Sequence, residues 1–212
     1  MIEATTVPDN FVTAVYALFS RLGLPLPSSF PATSAPEKAN TPILVYGAGA
    51  TSGQYTVEFL RLAGYKNVIA VASSKHEAYL KELGATTVVD YKSSTFVEDI
   101  KSASGSGASG IELVVDCVSL TESFTNISKV ISPTGTLAWL AAFKRGLDGG
   151  AGLNGEGVKL FTELPEDARA IFPGSVKLEA VYAFFYQKVS CLRSTSLNYT
   201  FLMLLDTRVM KG

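Results

Sequence analysis

From Ile43 to Leu140 the chain alternates short β-branched and aliphatic runs with stretches of helical periodicity, and nothing else in it constrains the fold as much. Strands separated by helix-length crossovers pair in parallel, because an antiparallel return needs only a tight turn. The runs predict strands over Ile43–Tyr46, Val68–Ala72, Thr86–Asp90, Leu113–Asp116 and Thr136–Leu140. Between them the spacing predicts helices over Thr51–Ala63, Lys75–Leu83, Phe96–Ser102 and Leu120–Val130, with Gly64 and Gly84 stopping the first two. These repeats predict an α/β fold, a doubly wound and mostly parallel sheet. Three hydroxyl–carboxylate pairs at capping-box spacing, Ser74 with Glu77, Thr95 with Glu98 and Ser119 with Glu122, are expected to mark helix starts.

The flanks read differently. Phe11, Val12, Val15, Leu18, Phe19 and Leu22 repeat at helical spacing after Pro8, Asp9 and Asn10, so a helix is expected to lay one apolar face on something larger. Pro25 to Pro42 has the composition of an irregular connection. Residues 1–40 are therefore assigned to an N-terminal helix and linker, 41–187 to the main domain and 188–212 to an atypical tail. Ser102–Gly110 is expected to be a surface turn and Gly146–Gly157 a loop. Val176–Tyr186 is expected to form a strand and Cys191–Gly212 a weak apolar helix with a basic end.

Composition removes several classes of function. A 212-residue chain with 47% hydrophobic and 17% charged residues can bury a core and is not disordered. Its net charge of −1 gives no field to attract a polyanion, so no nucleic-acid partner is expected. One histidine, His76, and two distant cysteines, Cys117 and Cys191, supply neither a tetrahedral metal site nor a disulfide framework. No run approaches the ~20 apolar residues of a membrane span, and no basic leader precedes the first helix. A cytoplasmic protein acting on small molecules is expected.

The first predicted strand runs straight into Gly47-Ala48-Gly49-Ala50-Thr51-Ser52-Gly53, a glycine-rich turn opening a helix. Such a turn lets backbone N–H groups approach a pyrophosphate at the positive end of a helix dipole. Gly47 and Gly49 supply the first two fingerprint positions, whereas Gly53 comes four residues after Gly49 rather than three. The competing reading is an ordinary strand-to-helix turn. After strand two the chain reads Ser73-Ser74-Lys75-His76 with no acid to accept a ribose 2′-OH. Hydroxyls and an ammonium suit a 2′-phosphate, which favours NADP over NAD. Ser74 as a plain cap and Lys75 as a solvated charge are the competing readings. Tyr91, after strand three, and Cys117, ending strand four, reach the same carboxyl edge, where ligands of open α/β sheets bind. Tyr91 can equally be a packed surface aromatic, and Cys117 a small buried hydrophobe.

The runs VYGAGATSGQYTVEFLRLAGY, VIAVASSKHEAYLKELGATTVVDYKS and ELVVDCVS resemble the Rossmann-like cofactor domain of medium-chain dehydrogenases/reductases. Within that superfamily the likeness is to zinc-independent quinone and enoyl reductases, in particular the fungal trans-acting enoyl reductases of polyketide assembly. The resemblance implies hydride transfer from NADPH to an activated double bond or quinone. An enoyl thioester or quinone substrate is implied with it, as is a polyketide synthase partner. It implies that Thr51 and Ser52 contact the pyrophosphate, that Ser73, Ser74, Lys75 and Tyr91 hold the 2′-phosphate and adenosine, and that Cys117 and Val118 line the nicotinamide ribose. The catalytic residues stay unassigned. Relatives of this kind begin with a GroES-like domain, whereas this sequence opens in the joining helix and departs from the pattern after Gln187. A truncated chain, a weak or inactive catalyst and an apolar face left open along Phe11–Leu22, which favours self-association into a homo-oligomer, are therefore expected. A short-chain dehydrogenase is disfavoured because no tyrosine has a lysine four residues on, and a methyltransferase because strand two ends without an acid. A non-catalytic dinucleotide-binding module is the remaining alternative.

Overall fold

The computed structural model describes residues 7–105, 107, 109–140, 142–145 and 159–182. The expected loop at 146–157, the tail at 188–212 and residues 183–186 of the last expected strand lie outside this set. Strands β1 (Ile43–Tyr46), β2 (Val68–Val71), β3 (Thr87–Val89), β4 (Ile111–Asp116) and β5 (Ile131–Leu140) follow the predicted order. Two short strands, β6 (Phe143–Arg145) and β7 (Lys159–Phe161), form an antiparallel pair that the sequence pattern did not predict. Strand β8 (Lys177–Val181) falls within the expected 176–186 run. The main sheet has the order β3-β2-β1-β4-β5-β8 with every neighbour parallel.

Helices cover both faces, so the central strands are buried on each side and read as continuous apolar runs. Ile43 and Val45 point into one core cluster while Leu44 and Tyr46 point into the other. Val68 and Ala70 alternate with Ile69 and Val71 in the same way, as the two-residue period of a strand requires. Helices α1 (Val7–Val15), α2 (Thr51–Leu62) and α3 (Glu77–Leu83) belong to the first face; α4 (Phe96–Ser104) and α5 (Thr121–Ser128) to the second. A further single turn, α6, spans Glu166–Arg169.

Helix α1 continues through a π-helical turn at Tyr16–Arg21. The open apolar face expected along it is not present. Phe11, Val15, Leu18, Phe19 and Leu22 are all buried, with the Phe11 ring edge-on to Phe59 at 4.9 Å, so α2 is the larger body the helix lies on. The expected self-association through this face loses its basis.

The three capping boxes also need correction. Ser74 opens a 3₁₀ turn, Ser74–His76, and α3 starts only at Glu77. Thr95 is the N-cap residue of α4, but its hydroxyl donates to Asp99 Oδ2 at 2.9 Å and caps no N–H group. Ser119 lies two residues before α5 with φ +57°, and Ser123 accepts the Leu120 N–H instead at 3.0 Å. A capping box needs an extended cap residue directly before the helix, and residue spacing alone does not fix that register.

Candidate functional site

The strand order reverses between β1 and β4, and a cleft of about 590 Å³ opens at the carboxyl edge of strands β3 to β4. This is the switch point where open α/β sheets bind ligands. Its floor is the turn after β1, in which the Gly47 and Ala48 N–H groups both donate to the Val71 carbonyl at 2.9 Å. Gly47 adopts φ +75°, and a Cβ there would stand 2.3 Å from Val118 Cγ2. A Cβ on Gly49 would meet the His76 ring at 2.8 Å. On Gly53 it would lie 2.5 Å from the Gly47 carbonyl oxygen and 2.7 Å from Ala48 Cα. The third glycine therefore packs helix against turn despite its longer spacing. Ala50 is the extended N-cap residue of the twelve-residue α2, and Gln54 Nε2 donates to the Gly49 carbonyl at 3.0 Å. The helix dipole thus ends at the turn, where it stabilises an anion.

The anticipated residues divide in two. Gly47, Gly49, Ala50, Ser73, Lys75, Tyr91 and Val118 line the cleft together. Thr51 is exposed on the first turn of α2, and the Ser52 hydroxyl donates to Asn10 Oδ1 at 2.5 Å, so that side chain is engaged by α1. Ser74 faces a neighbouring groove with Glu77 and Asp90, and its N–H donates to Asp90 Oδ2 at 3.0 Å. Cys117 lies outside the cleft lining, packed against the first core cluster, and burial pushes its thiol up and away from thiolate chemistry.

Several cleft residues went unnoticed in the sequence. His76 and Lys92 line it, and the Lys92 ammonium sits 5.5 Å from the centre of the Tyr91 ring. Lys92 was findable, since it follows the residue already placed at that edge. Glu122 and Ser123 enter from the start of α5. Tyr46 faces the cleft with its hydroxyl accepting from Asn126 Nδ2 at 3.1 Å; burial pushes its pKa up to about 12, so the phenol stays neutral.

Beneath the cleft lies a buried clamp. Asp116 is fully buried, and its Oδ1 accepts the N–H groups of Val118 at 2.8 Å and Ser119 at 3.1 Å. Its Oδ2 accepts the Ser123 hydroxyl at 2.6 Å. Burial raises the Asp116 pKa, and these three donors oppose the rise. From the other side, the Lys144 ammonium donates to the Val118 carbonyl at 2.7 Å. Burial lowers the Lys144 pKa, with the Asp116 charge opposing. The turn that carries Val118 against Gly47 is therefore held at both its N–H and its C=O groups.

Residues 53–160, just over half of the chain, match the family model described as zinc-binding dehydrogenase. The chain is 32% identical over 143 residues to a dual trans-enoyl reductase/FAD-dependent monooxygenase from Aspergillus terreus, covering 67% of this chain and 19% of that protein. It is 32% identical over 133 residues to a trans-enoyl reductase from Fusarium heterosporum, covering 63% of this chain and 35% of the relative. The solved CurK enoyl reductase shares the fold with a TM-score of 0.60 at 19% identity, over 97% of this chain and 50% of that one. An NAD-dependent alcohol dehydrogenase does so with a TM-score of 0.56 at 21% identity, over 94% and 46%. The chain thus spans about a third or less of these curated relatives and about half of the solved chains.

Proposed function

The chain belongs to the zinc-binding dehydrogenase family within the medium-chain dehydrogenases/reductases, and on that premise we propose that residues 41–187 are its NADPH-binding domain. The observation carrying this reading is the turn Gly47–Ala50 leading into α2, where the N-cap residue Ala50 places no side-chain cap on the first-turn N–H groups and a side chain on Gly49 would collide with His76. The pyrophosphate lies on that turn. Ser73, Lys75, Tyr91 and Lys92 hold the 2′-phosphate and adenosine, since two ammonium groups and a hydroxyl favour a phosphate dianion over a bare ribose. When bound, the cofactor supplies a hydride; the residues described here bind and orient it. Among the described residues the zinc of the family's name finds no fitting donor set. The chain has one histidine and two cysteines, and among the described residues no three His, Cys, Asp or Glu side chains converge.

The reaction proposed is reduction of an activated double bond or a quinone, with enoyl thioesters the favoured class because trans-enoyl reductases stand among the relatives. A polyketide synthase partner and a cytoplasmic location extend that proposal. No described helix is long and apolar enough to cross a membrane. A module that binds the dinucleotide without turnover is the second reading, since the cleft residues account for holding a dinucleotide and none of them is assigned a step in the reaction.

Thermal shift tests the first part. A ligand at 100 times its Kd stabilises by about 2.7 kcal/mol, or about 5–10 °C for a domain of this size. NADPH is expected to give such a shift and NADH, at equal concentration, a smaller one. No shift with either cofactor refutes the reading, and an equal or larger shift with NADH refutes the preference. NADPH oxidation with a quinone and with an α,β-unsaturated thioester then separates the two readings. Turnover near ~1 s⁻¹ or faster marks a competent reductase, and binding without oxidation marks the module.

A further inference from the structure

The turns after β2 and β3 both bring a lysine to one end of the cleft, and a single carboxylate joins them. Asp90, directly after β3, accepts the Ser74 N–H through Oδ2 at 3.0 Å and the Lys92 N–H through Oδ1 at 2.9 Å. Ser74 precedes Lys75, and Lys92 follows Tyr91; Lys75, Tyr91 and Lys92 all line the cleft, while Asp90 itself lines a neighbouring groove. The strands below are already in register, with Ala72 N–H donating to the Val89 carbonyl at 3.1 Å. Beyond that point Asp90 joins the two turns by hydrogen bonds to both.

We infer that Asp90 is a positioning residue for cofactor discrimination, bridging the two turns so that the Lys75 and Lys92 ammonium groups converge on one 2′-phosphate. The inference rests on the proposed NADPH reading and deepens it. Two long side chains lose rotamer freedom when they share a ligand, and a backbone already fixed on both sides reduces what remains to be ordered. The bridge also explains why an acid stands so near an anion site. Its two oxygens are committed to backbone N–H groups, which hold its pKa below the usual carboxylate value and keep it an acceptor. Its charge is thereby compensated by the two backbone donors.

The test is titration of the full chain and its variants with NADPH and, separately, NADH. Asp90→Ala removes both acceptors. It is expected to weaken NADPH binding about tenfold, the order of one charge-assisted contact, with NADH within about twofold. Asp90→Asn keeps one carbonyl oxygen and a similar shape, and is expected to lose less than the alanine variant. Lys92→Ala is expected to reproduce the selective loss. A uniform weakening of both cofactors in Asp90→Ala overturns the inference in favour of a general structural role. Tighter NADPH binding overturns it too, because the carboxylate would then act only by repelling the phosphate. A wild-type chain that binds neither cofactor, or does not prefer NADPH, refutes the proposed function and the role of Asp90 with it. A wild type that prefers NADPH, with an unmoved ratio in Asp90→Ala, refutes the role of Asp90 alone.

Discussion

Replacing Gly53 with alanine probes the packing of α2 on the turn after β1 with a single methyl group. The added Cβ would stand 2.5 Å from the Gly47 carbonyl oxygen, against 3.4 Å for the onset of ordinary contact, and 2.7 Å from Ala48 Cα. All the atoms it meets are backbone, so no side chain can swing aside; either α2 lifts or the turn opens by about 0.9 Å. Overpacking of this kind costs about 1–3 kcal/mol, offset by part of the ~1 kcal/mol that alanine gains over glycine in a helix. A net loss of about 1–2 kcal/mol lowers Tm by roughly 2–8 °C for a domain of this size. The same displacement moves the head of α2 and the Gly49–Ala50 backbone that lines the cleft, so NADPH affinity is expected to fall at least about tenfold. Gly174→Ala is the control, since a Cβ there meets nothing within 4 Å; its expected effect is within about 0.5 kcal/mol. Thermal melts and NADPH titration of both variants decide the matter. A Gly53→Ala protein with unchanged Tm and affinity would show that the turn is loosely held and refute the reasoning.

Gly49→Val is expected to abolish NADPH binding while leaving the circular dichroism spectrum folded, because its side chain enters the cleft against His76 rather than the core. Lys75→Ala should weaken NADPH about tenfold and NADH less than about twofold in titration, as only one ligand carries the 2′-phosphate. Asp116→Leu orphans the Val118 and Ser119 N–H groups and should cost about 3 kcal/mol in urea unfolding. Asp116→Asn should be far milder near neutral pH, since its oxygen can keep both N–H groups and its amide can donate to Ser123, whose hydroxyl also lies 2.9 Å from the Leu120 carbonyl. Burial raises the Asp116 pKa above its ordinary 3.8. The stability from its protonation is thus full below that value and lost as pH rises through the folded value. Urea unfolding at several pH values should accordingly show the Asn variant gaining on the wild type as pH rises from about 4 to neutral; a pH-independent difference contradicts the assignment.

The sheet was legible because its central strands are buried on both faces, so Ile43–Tyr46 and Val68–Val71 appear as unbroken apolar runs between helices. Gly47, Gly49 and Gly53 were legible as a turn for the same local reason. Strands β6 and β7 were not, because three residues such as Lys159-Leu160-Phe161 hold too few positions for a period and pair with a segment fourteen or more residues away. The clamp on the Val118 turn was hidden by distance, since Lys144 approaches Val118 only after β5 has crossed the sheet. Asp90 was read as the end of a strand; its role depends on which way its oxygens face, and spacing carries no such information. Ser74 shows the converse, a hydroxyl in the expected place whose backbone turn directs it to the neighbouring groove.

Backbone amide shifts followed by NMR during titration of the full chain with NADPH test the central claim most directly. The largest changes are expected at Gly47 to Ala50 after β1, at Ser73 to His76 after β2 and at Tyr91 and Lys92 after β3, with the last two groups moving less when NADH replaces NADPH. Saturable shifts confined to β6, β7 and α6, or no shifts at the Gly47–Ala50 turn, would contradict a dinucleotide site at this sheet edge.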